Sequence, residues 1–487
     1  MNPRVLPVVL ILLISQVAAP ATAAAATAGV CDGAFGVAEA PQGAEVVEPG
    51  TDLSARTRNS PPGTTFWLSP GTHHLAPDQF GQVIPKDGDV YLGAPGAVLD
   101  GGGTNRAAFT QQATDVVIRG LTIRGFVAPQ DQGVVNHDSA PRWVIEGNLI
   151  EENRGAAMMA GAGQRVSGNC LRNNGQYGIN AYRSGGGVRD LVVEGNEITG
   201  NNTDDWETKA PGCGCSGGAK FWAVDGADIR GNWVHHNHGA GLWADTNNND
   251  FLIEDNLIED NEAEGLFYEI SYNLVLSGNT FNRNAWTRGR WRAERGDKFP
   301  VASVYISESG GEPRLPARTD KIEIRGNMFS DNWSGITLWE NADRFCNSPA
   351  NTSTLSCTRL VTSASDCVQP GIATEPLYSD CRWKTKGVVV SDNTFEFDPD
   401  IPGCSSLCGR MAVLSNYGTY PAWSPYKGAV ISEAITFRQE NQWRDNKYYG
   451  PWTFVALDPS RGLTFDQWRA APYQQDACSS FGEGGNC

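Results

Sequence analysis

"FLIEDNLIEDNEAEGLFYEISYNLVLSGNTFNRN" (Phe251–Asn284) writes one phrase twice. An apolar triplet leads to an Asn, a second short apolar run follows, and another Asn stands five residues after the first: Asn256 with Asn261, then Asn279 with Asn284. The pairing recurs along the chain at Asn148/Asn153, Asn169/Asn174, Asn196/Asn201, Asn232/Asn237 and Asn327/Asn332, and Asn393 opens a partial copy. Clean copies are 21, 23 and 24 residues apart, and longer steps hold insertions. Such a period marks a solenoid whose coils bury a face only by stacking. A leucine-rich repeat is excluded because its Leu-x-x-Leu-x-Leu frame is missing. The runs "DVVIRGLTIRG", "RWVIEGNLIEEN" and "LVVEGNEITGN" are instead short strands punctuated by turn residues. Asn tolerates left-handed turns, and stacked Asn side chains can bond one another along the axis. The expected fold is all-β: a right-handed parallel β-helix solenoid with N- and C-terminal caps over its open edges.

Outward from this core, residues 1–28 read as a signal peptide, with Arg4, an apolar core and a small-residue cleavage region. Residues 29–100 are expected to form the N-terminal cap and first coils, 101–345 the repeat core, and 346–384 a Cys-rich insertion. Residues 385–399 should make the final coil and 400–487 the C-terminal cap, in which "LTFDQWRAAP" suits a short helix. Secretion agrees with twelve cysteines, an even number that an oxidising compartment would pair. Close spacing favours Cys346–Cys357, Cys367–Cys381, Cys404–Cys408 and Cys478–Cys487, and leaves Cys31, Cys170, Cys213 and Cys215 unassigned. The net charge of −17 argues against nucleic acid as a partner, and no later apolar run is long enough to span a membrane. A monomer is expected.

Six strand phrases align between the turns: "GINAYR" (178–183), "GAKFWA" (218–223), "GLWADT" (241–246), "GLFYEI" (265–270), "SVYISE" (303–308) and "GITLWE" (335–340). Side chains alternate with period two. One parity (Ile179, Ala219, Phe221, Leu242, Ala244, Leu266, Tyr268, Ile270, Val304, Ile306, Ile336, Leu338) reads as core. The other reads as an exposed ribbon that carries Tyr182, Lys220, Trp222, Trp243, Asp245, Phe267, Glu269, Tyr305 and Trp339. Burying Lys220, Asp245 and Glu269 in the core instead would be costly.

This organisation, with the phrases "WET" (Trp206–Thr208), "GGAKFW" (Gly217–Trp222), "GLWAD" and "GLFYEIS", resembles the pectin-lyase-like superfamily, and most closely its secreted bacterial β-helix repeat proteins. The resemblance runs from about Pro61 to Phe397. It implies enzymes that cleave polysaccharides by hydrolysis or elimination, or non-catalytic adhesins and glycan-binding spikes; fold alone does not choose.

The residues themselves frame the choice. Asp245 and Glu269 take equivalent outward positions on neighbouring coils, about 4.8 Å apart in backbone. Two such carboxylates split their protonation, which a glycoside hydrolase requires. Elimination would instead use Lys220 as base, with Ca²⁺ held by Glu207, Asp245 and Glu269. Trp222, Trp243, Phe267, Tyr182, Arg183, Tyr305 and Trp339 are the expected substrate-binding residues, their flat faces suited to sugar rings. The partner expected is a polysaccharide or oligosaccharide, and an enzyme is favoured over a carbohydrate-binding or adhesion protein. His235, His236 and His238, the pair His137 and Asp138, and Trp286 and Trp291 on a basic insertion are weaker candidates.

Overall fold

The computed structural model describes residues 29–351, 357–404, 407–416 and 418–482, so the signal reading of 1–28 lies outside the described residues. Among the described residues, three sheets of 13, 13 and 11 strands make up the solenoid. From Val117–Arg119 to Thr453–Ala456 each coil adds one strand to each, and the pairing is parallel, save an antiparallel last pair in the third sheet. The apolar runs fill the interior: Phe251 and Ile253 of the first sheet, Ile258 and Phe281 of the second, and Leu242 and Leu266 of the third are all buried in one continuous core. The N-terminal end carries the helix Leu53–Asn59, capped by the Asp52 carboxylate. Near the other end is Phe465–Arg469, with a reciprocal Thr464/Gln467 capping box.

The asparagines form two continuous ladders at the turn between the first and second sheets and at the turn after the second. In one, the Nδ2 of Asn148, Asn169, Asn196, Asn232, Asn256, Asn279 and Asn327 each donates to the Oδ1 of the next member, at 2.9–3.0 Å. Asn393 extends it to Asn446 at 3.1 Å. The second ladder runs from Asn153 through Asn174, Asn201, Asn237, Asn261 and Asn284 to Asn332. The left-handed conformation expected of these Asn residues falls on the residue before each: Gly147, Gly168, Asp255 and Gly278 precede rungs of one ladder, Glu152, His236 and Asp260 of the other, all with φ near +50 to +70°. The Asn is chosen for its amide, which satisfies buried backbone groups on two coils at once.

The solenoid extends beyond the coil expected to be last. Gln442–Arg444 pairs with Val388–Ser391 and Lys447–Tyr449 with Thr394–Glu396, and Asn446 supplies the matching rung. Four disulfides join described residues: Cys31–Cys170, Cys213–Cys215, Cys346–Cys357 and Cys367–Cys381. The expected Cys404–Cys408 pair is not one of these four. Cys478 is disulfide-bonded, while Cys487 lies outside the described residues. No helix among the described residues is long and apolar enough to cross a membrane.

Candidate functional site

The third sheet carries the site. Its strands Ala219–Trp222, Leu242–Asp245, Leu266–Glu269, Val304–Ser307 and Ile336–Glu340 stack in the register read from the sequence. Two outward columns result. One runs Lys220, Trp243, Phe267, Tyr305, Thr337, and the other Trp222, Asp245, Glu269, Ser307, Trp339. The inward parity is buried as expected, with one correction. Ile270 is not in the solenoid core; it packs with Tyr272 and Trp383 in a separate cluster beneath the Cys-rich insertion.

The reason is a corner. Thr246, Ile270 and Glu308 directly follow the outward Asp245, Glu269 and Ser307, and all three have left-handed backbone, φ +49, +39 and +46°. β-Branched residues rarely accept that conformation. Here local side-chain bonds brace the corner: Asn248 bonds back to the Asp245 carbonyl at 2.8 Å, and Ser271 Oγ donates to the Glu269 carbonyl at 2.7 Å.

The ribbon is less open than its parity suggested. Glu269 is 8% exposed, Ser307 3% and Thr337 fully buried. Three segments outside these strands line a cleft of about 750 Å³ over them. The first is the stretch bearing the helix Trp206–Lys209 and the Cys213–Cys215 bridge. The second is the helix Trp286–Glu294, which contributes Arg288 and Arg292, and the third is the Asn341–Arg344 turn. The aromatic faces are also partly used up. Trp243 stacks on Phe267 (ring centroids 5.0 Å apart) and Phe267 on Tyr305 (4.7 Å). The Phe267 face is therefore covered on both sides, and Lys220 Nζ covers Trp243 at 4.2 Å. The platform expected for sugar stacking is an axial stack that presents ring edges to the cleft.

Glu269 stands at the centre. Its Oε2 accepts from Trp243 Nε1 at 3.1 Å, and its Oε1 takes a short charged contact from Arg344 Nη1. Burial pushes its carboxyl up to about 7, the charge of Asp245 adds to this, and Arg344 opposes it. Asp245 sits in a different setting, ion-paired to Lys220 Nζ at 3.0 Å and accepting from Thr246 Oγ1 at 2.8 Å. Lys220 also donates to the Gly214 carbonyl, so carboxylate, carbonyl and indole face together suit an ammonium ion. Below Glu269, Arg344 Nε lies 3.6 Å from Glu308. Glu308 is 1% exposed, and burial raises its carboxyl. Glu308, then Glu269, holds the Arg344 guanidinium above its usual range. Burial likewise raises Glu264, on the same cleft.

Glu207 and Asp245 line the cleft with Glu269. No group of three His, Cys, Asp or Glu side chains among the described residues converges as a metal site. Both Glu269 oxygens are already engaged by nitrogen donors. The expected Ca²⁺ set of Glu207, Asp245 and Glu269 therefore does not fit the ion. Trp222, Tyr305 and Trp339 line the cleft as expected, but Tyr182 and Arg183 line a second hollow, with His137 and Asp138. The histidine run serves structure: His235 stacks on Trp233 and meets Glu197 at 3.2 Å, and His238 pairs with Glu262. Trp286 packs edge-on against Trp333, while Trp291 is exposed.

Arg344, Glu308 and Glu264 were not singled out in the sequence. Glu308 was within reach of the alignment, being one residue past Ser307. Arg344 was not, because it lies past the last aligned strand phrase and meets Glu269 from 75 residues away.

Residues 134–315 match the family model for a right-handed β-helix region. The chain has the fold of a right-handed parallel β-helix. No curated protein sequence matches it. Among solved structures, it is similar to the A-module of mannuronan C-5 epimerase AlgE4 from Azotobacter vinelandii (14% identity, 75% of this chain and 94% of that one, TM-score 0.41). It is similar also to the catalytic unit of the GH87 α-1,3-glucanase of Streptomyces thermodiastaticus (12%, 86% and 69%, TM-score 0.48). A third is tailspike protein 2 of an Escherichia coli O157:H7 bacteriophage (11%, 61% and 42%, TM-score 0.41). At these identities the likeness is one of fold.

Proposed function

We propose that the cleft binds a glycan and hydrolyses it, with Glu269 as general acid and Asp245 as the ionised partner. The observation that carries this is the contrast between two carboxylates on adjacent coils. Glu269 is buried and raised to about 7. Asp245 is held against an ammonium at 3.0 Å. Unequal environments of this kind separate an acid from a base or nucleophile. In the reaction, the Glu269 proton passes to the glycosidic oxygen as the bond to the anomeric carbon breaks. Asp245 either attacks that carbon or takes a proton from the attacking water, and the gap between the carboxyl groups sets which. Arg344 is a positioning residue: it fixes the Glu269 carboxyl and opposes the rise that burial and Asp245 cause.

Elimination is less well supported. Its base would be Lys220, which is tied to Asp245 and Gly214, and its cation would need a ligand set that the carboxylates do not make. The disulfides fit an exported protein, since such bonds persist in oxidising compartments. The test is a panel of soluble polysaccharides scored for new reducing ends and, separately, for the ultraviolet absorbance of unsaturated products. Reducing ends without unsaturation, lost in Glu269→Gln, are expected. Unsaturated products would overturn the hydrolase in favour of a lyase. Binding without any product would leave a carbohydrate-binding protein.

A further inference from the structure

Two coils towards the N-terminus from Asp245, the same outer face opens into a second hollow of about 400 Å³. Tyr182 and Arg183 line it from the "GINAYR" coil, and Asp131, His137 and Asp138 from the coil of Gly133–Val135. Its walls mix donors, acceptors and one aromatic ring. Tyr182 is 36% exposed and touches Trp222 edge-on, ring centroids 5.2 Å apart. Trp222 lines the main cleft, so this aromatic pair is the partition between the two spaces.

The hollow is built rather than incidental. Asp131 and Gln176 bond reciprocally, backbone N to Oε1 at 2.7 Å and Nε2 to Oδ1 at 2.9 Å. The Asp131 carbonyl accepts from Asn180 at 3.0 Å. Ser139 Oγ donates to the Tyr182 carbonyl at 2.6 Å. These bonds tie the loops of one coil to the coil two further on. Meanwhile the groups that face the hollow keep bonding capacity in hand. Arg183 makes only a long contact, 3.4 Å, to Gln112, and no ion pair among the described residues. Asp138 takes a single hydroxyl, Thr110, at 2.7 Å. A ring edge, a guanidinium and carboxylates with spare lone pairs are what sugar hydroxyls require.

We propose that this hollow is a distal glycan subsite. In it, an extended chain that lies along the solenoid axis, past Glu269, is held by Tyr182, Arg183 and Asp138. At about 4.8 Å per coil, the hollow begins roughly 10 Å from Asp245, farther than a disaccharide in the cleft would reach. The inference rests on the glycan reading of the cleft and deepens it: the substrate is a polymer, bound across both spaces and cut inside the chain.

The experiment uses the full-length protein, wild type, Tyr182→Ala and Arg183→Gln. Each is measured by retardation in gels cast with xylan, mannan, glucan, polygalacturonate or alginate, and by turnover on long and short oligomers of whichever glycan is cleaved. Both side chains are at the surface, and matched melting curves confirm folding. Expected is a roughly tenfold fall in the ratio of long-chain to short-chain turnover, with weaker retardation. Wild-type retardation and an unchanged ratio in both variants would overturn the subsite and leave the cleft reading standing. No retardation and no product from wild type on any polymer would overturn the cleft reading, and the subsite with it.

Discussion

The Asn turns and the outer face of the third sheet are built from the same coils and obey opposite rules. At the turns one residue type recurs, and each amide bonds to its copy on the next coil. On the third sheet the outward positions change at every coil: Trp222, Asp245, Glu269, Ser307, Trp339. Repetition is what the fold demands. A face that refuses to repeat, and that gathers Lys220, Asp245 and Glu269 with Arg344 beside them, is paying for something other than stability. Buried like charges oppose folding, because each must be desolvated. The contrast separates positions that hold the protein together from positions proposed to do its chemistry.

That separation can be broken most sharply at Glu269. Replacing Glu269 by Gln keeps the volume and the Trp243 contact but removes the transferable proton. Turnover should fall by about 10²- to 10⁴-fold, the usual share of general acid catalysis, with the fold intact by circular dichroism. Full activity in this variant would move the chemistry elsewhere in the cleft.

The converse change is Asn256→Ala. Asn256 Nδ2 donates to the Ile229 carbonyl and to Asn279, and its Oδ1 receives two bonds from Asn232, all near 2.9 Å and buried. Truncation strands several buried polar groups at once, so unfolding free energy should drop by about 3 kcal/mol. Chemical denaturation would measure it. Per-molecule activity of the folded fraction should change little, and a specific loss of activity without loss of stability would erase the distinction between turn and site.

Much of this division was legible beforehand. Period, parity and the Lys220–Trp339 columns follow from short-range rules: apolar alternation, and Asn five residues after Asn. Asn446 could have been found the same way, since Asp445-Asn446 repeats the phrase of Asp392-Asn393. What covers the ribbon was not legible. Asn247 binds the Cys357 carbonyl from 110 residues away and Trp383 Nε1 at 3.0 Å. These non-local contacts fix the Cys-rich insertion against the corner beyond Asp245. No periodic pattern encodes them, nor the placing of the Trp206–Lys209, Trp286–Glu294 and Asn341–Arg344 segments that turn an expected open ribbon into a cleft with a buried carboxyl. The same holds for the stacking of Trp243, Phe267 and Tyr305. Sequence placed the rings in a column, but whether they face each other or the solvent depends on rotamers.

Arg344, which sequence did not single out, offers a finer test. It lowers the Glu269 carboxyl from where burial and Asp245 would put it. If Glu269 acts as the acid, activity declines as pH rises through about 7. Arg344→Gln removes the opposing charge, so that decline should move to higher pH by about one unit, while Arg344→Lys should restore most of the wild-type profile. A limb that stays in place would mean that another group sets it.

The smallest effect concerns stability, and its sign is opposite to that of most carboxylates in salt bridges. The folded protein binds the Glu269 proton more tightly than the unfolded chain does. Between the ordinary Glu value and about 7, the native state therefore holds more protons, and stability falls as pH rises. Below that window the raised carboxyl costs nothing, and above it a buried negative charge sits beside Asp245. Glu269→Gln removes the charge, so its unfolding free energy relative to wild type should rise as pH increases from about 5 to about 8, by an amount on the order of 1 kcal/mol. The Asn256→Ala deficit, which involves no ionising group, should stay level over the same range. Parallel pH dependence in the two variants would mean that Glu269 is held by its neighbours as an ordinary structural residue, and the contrast between turn and face would not extend to energetics.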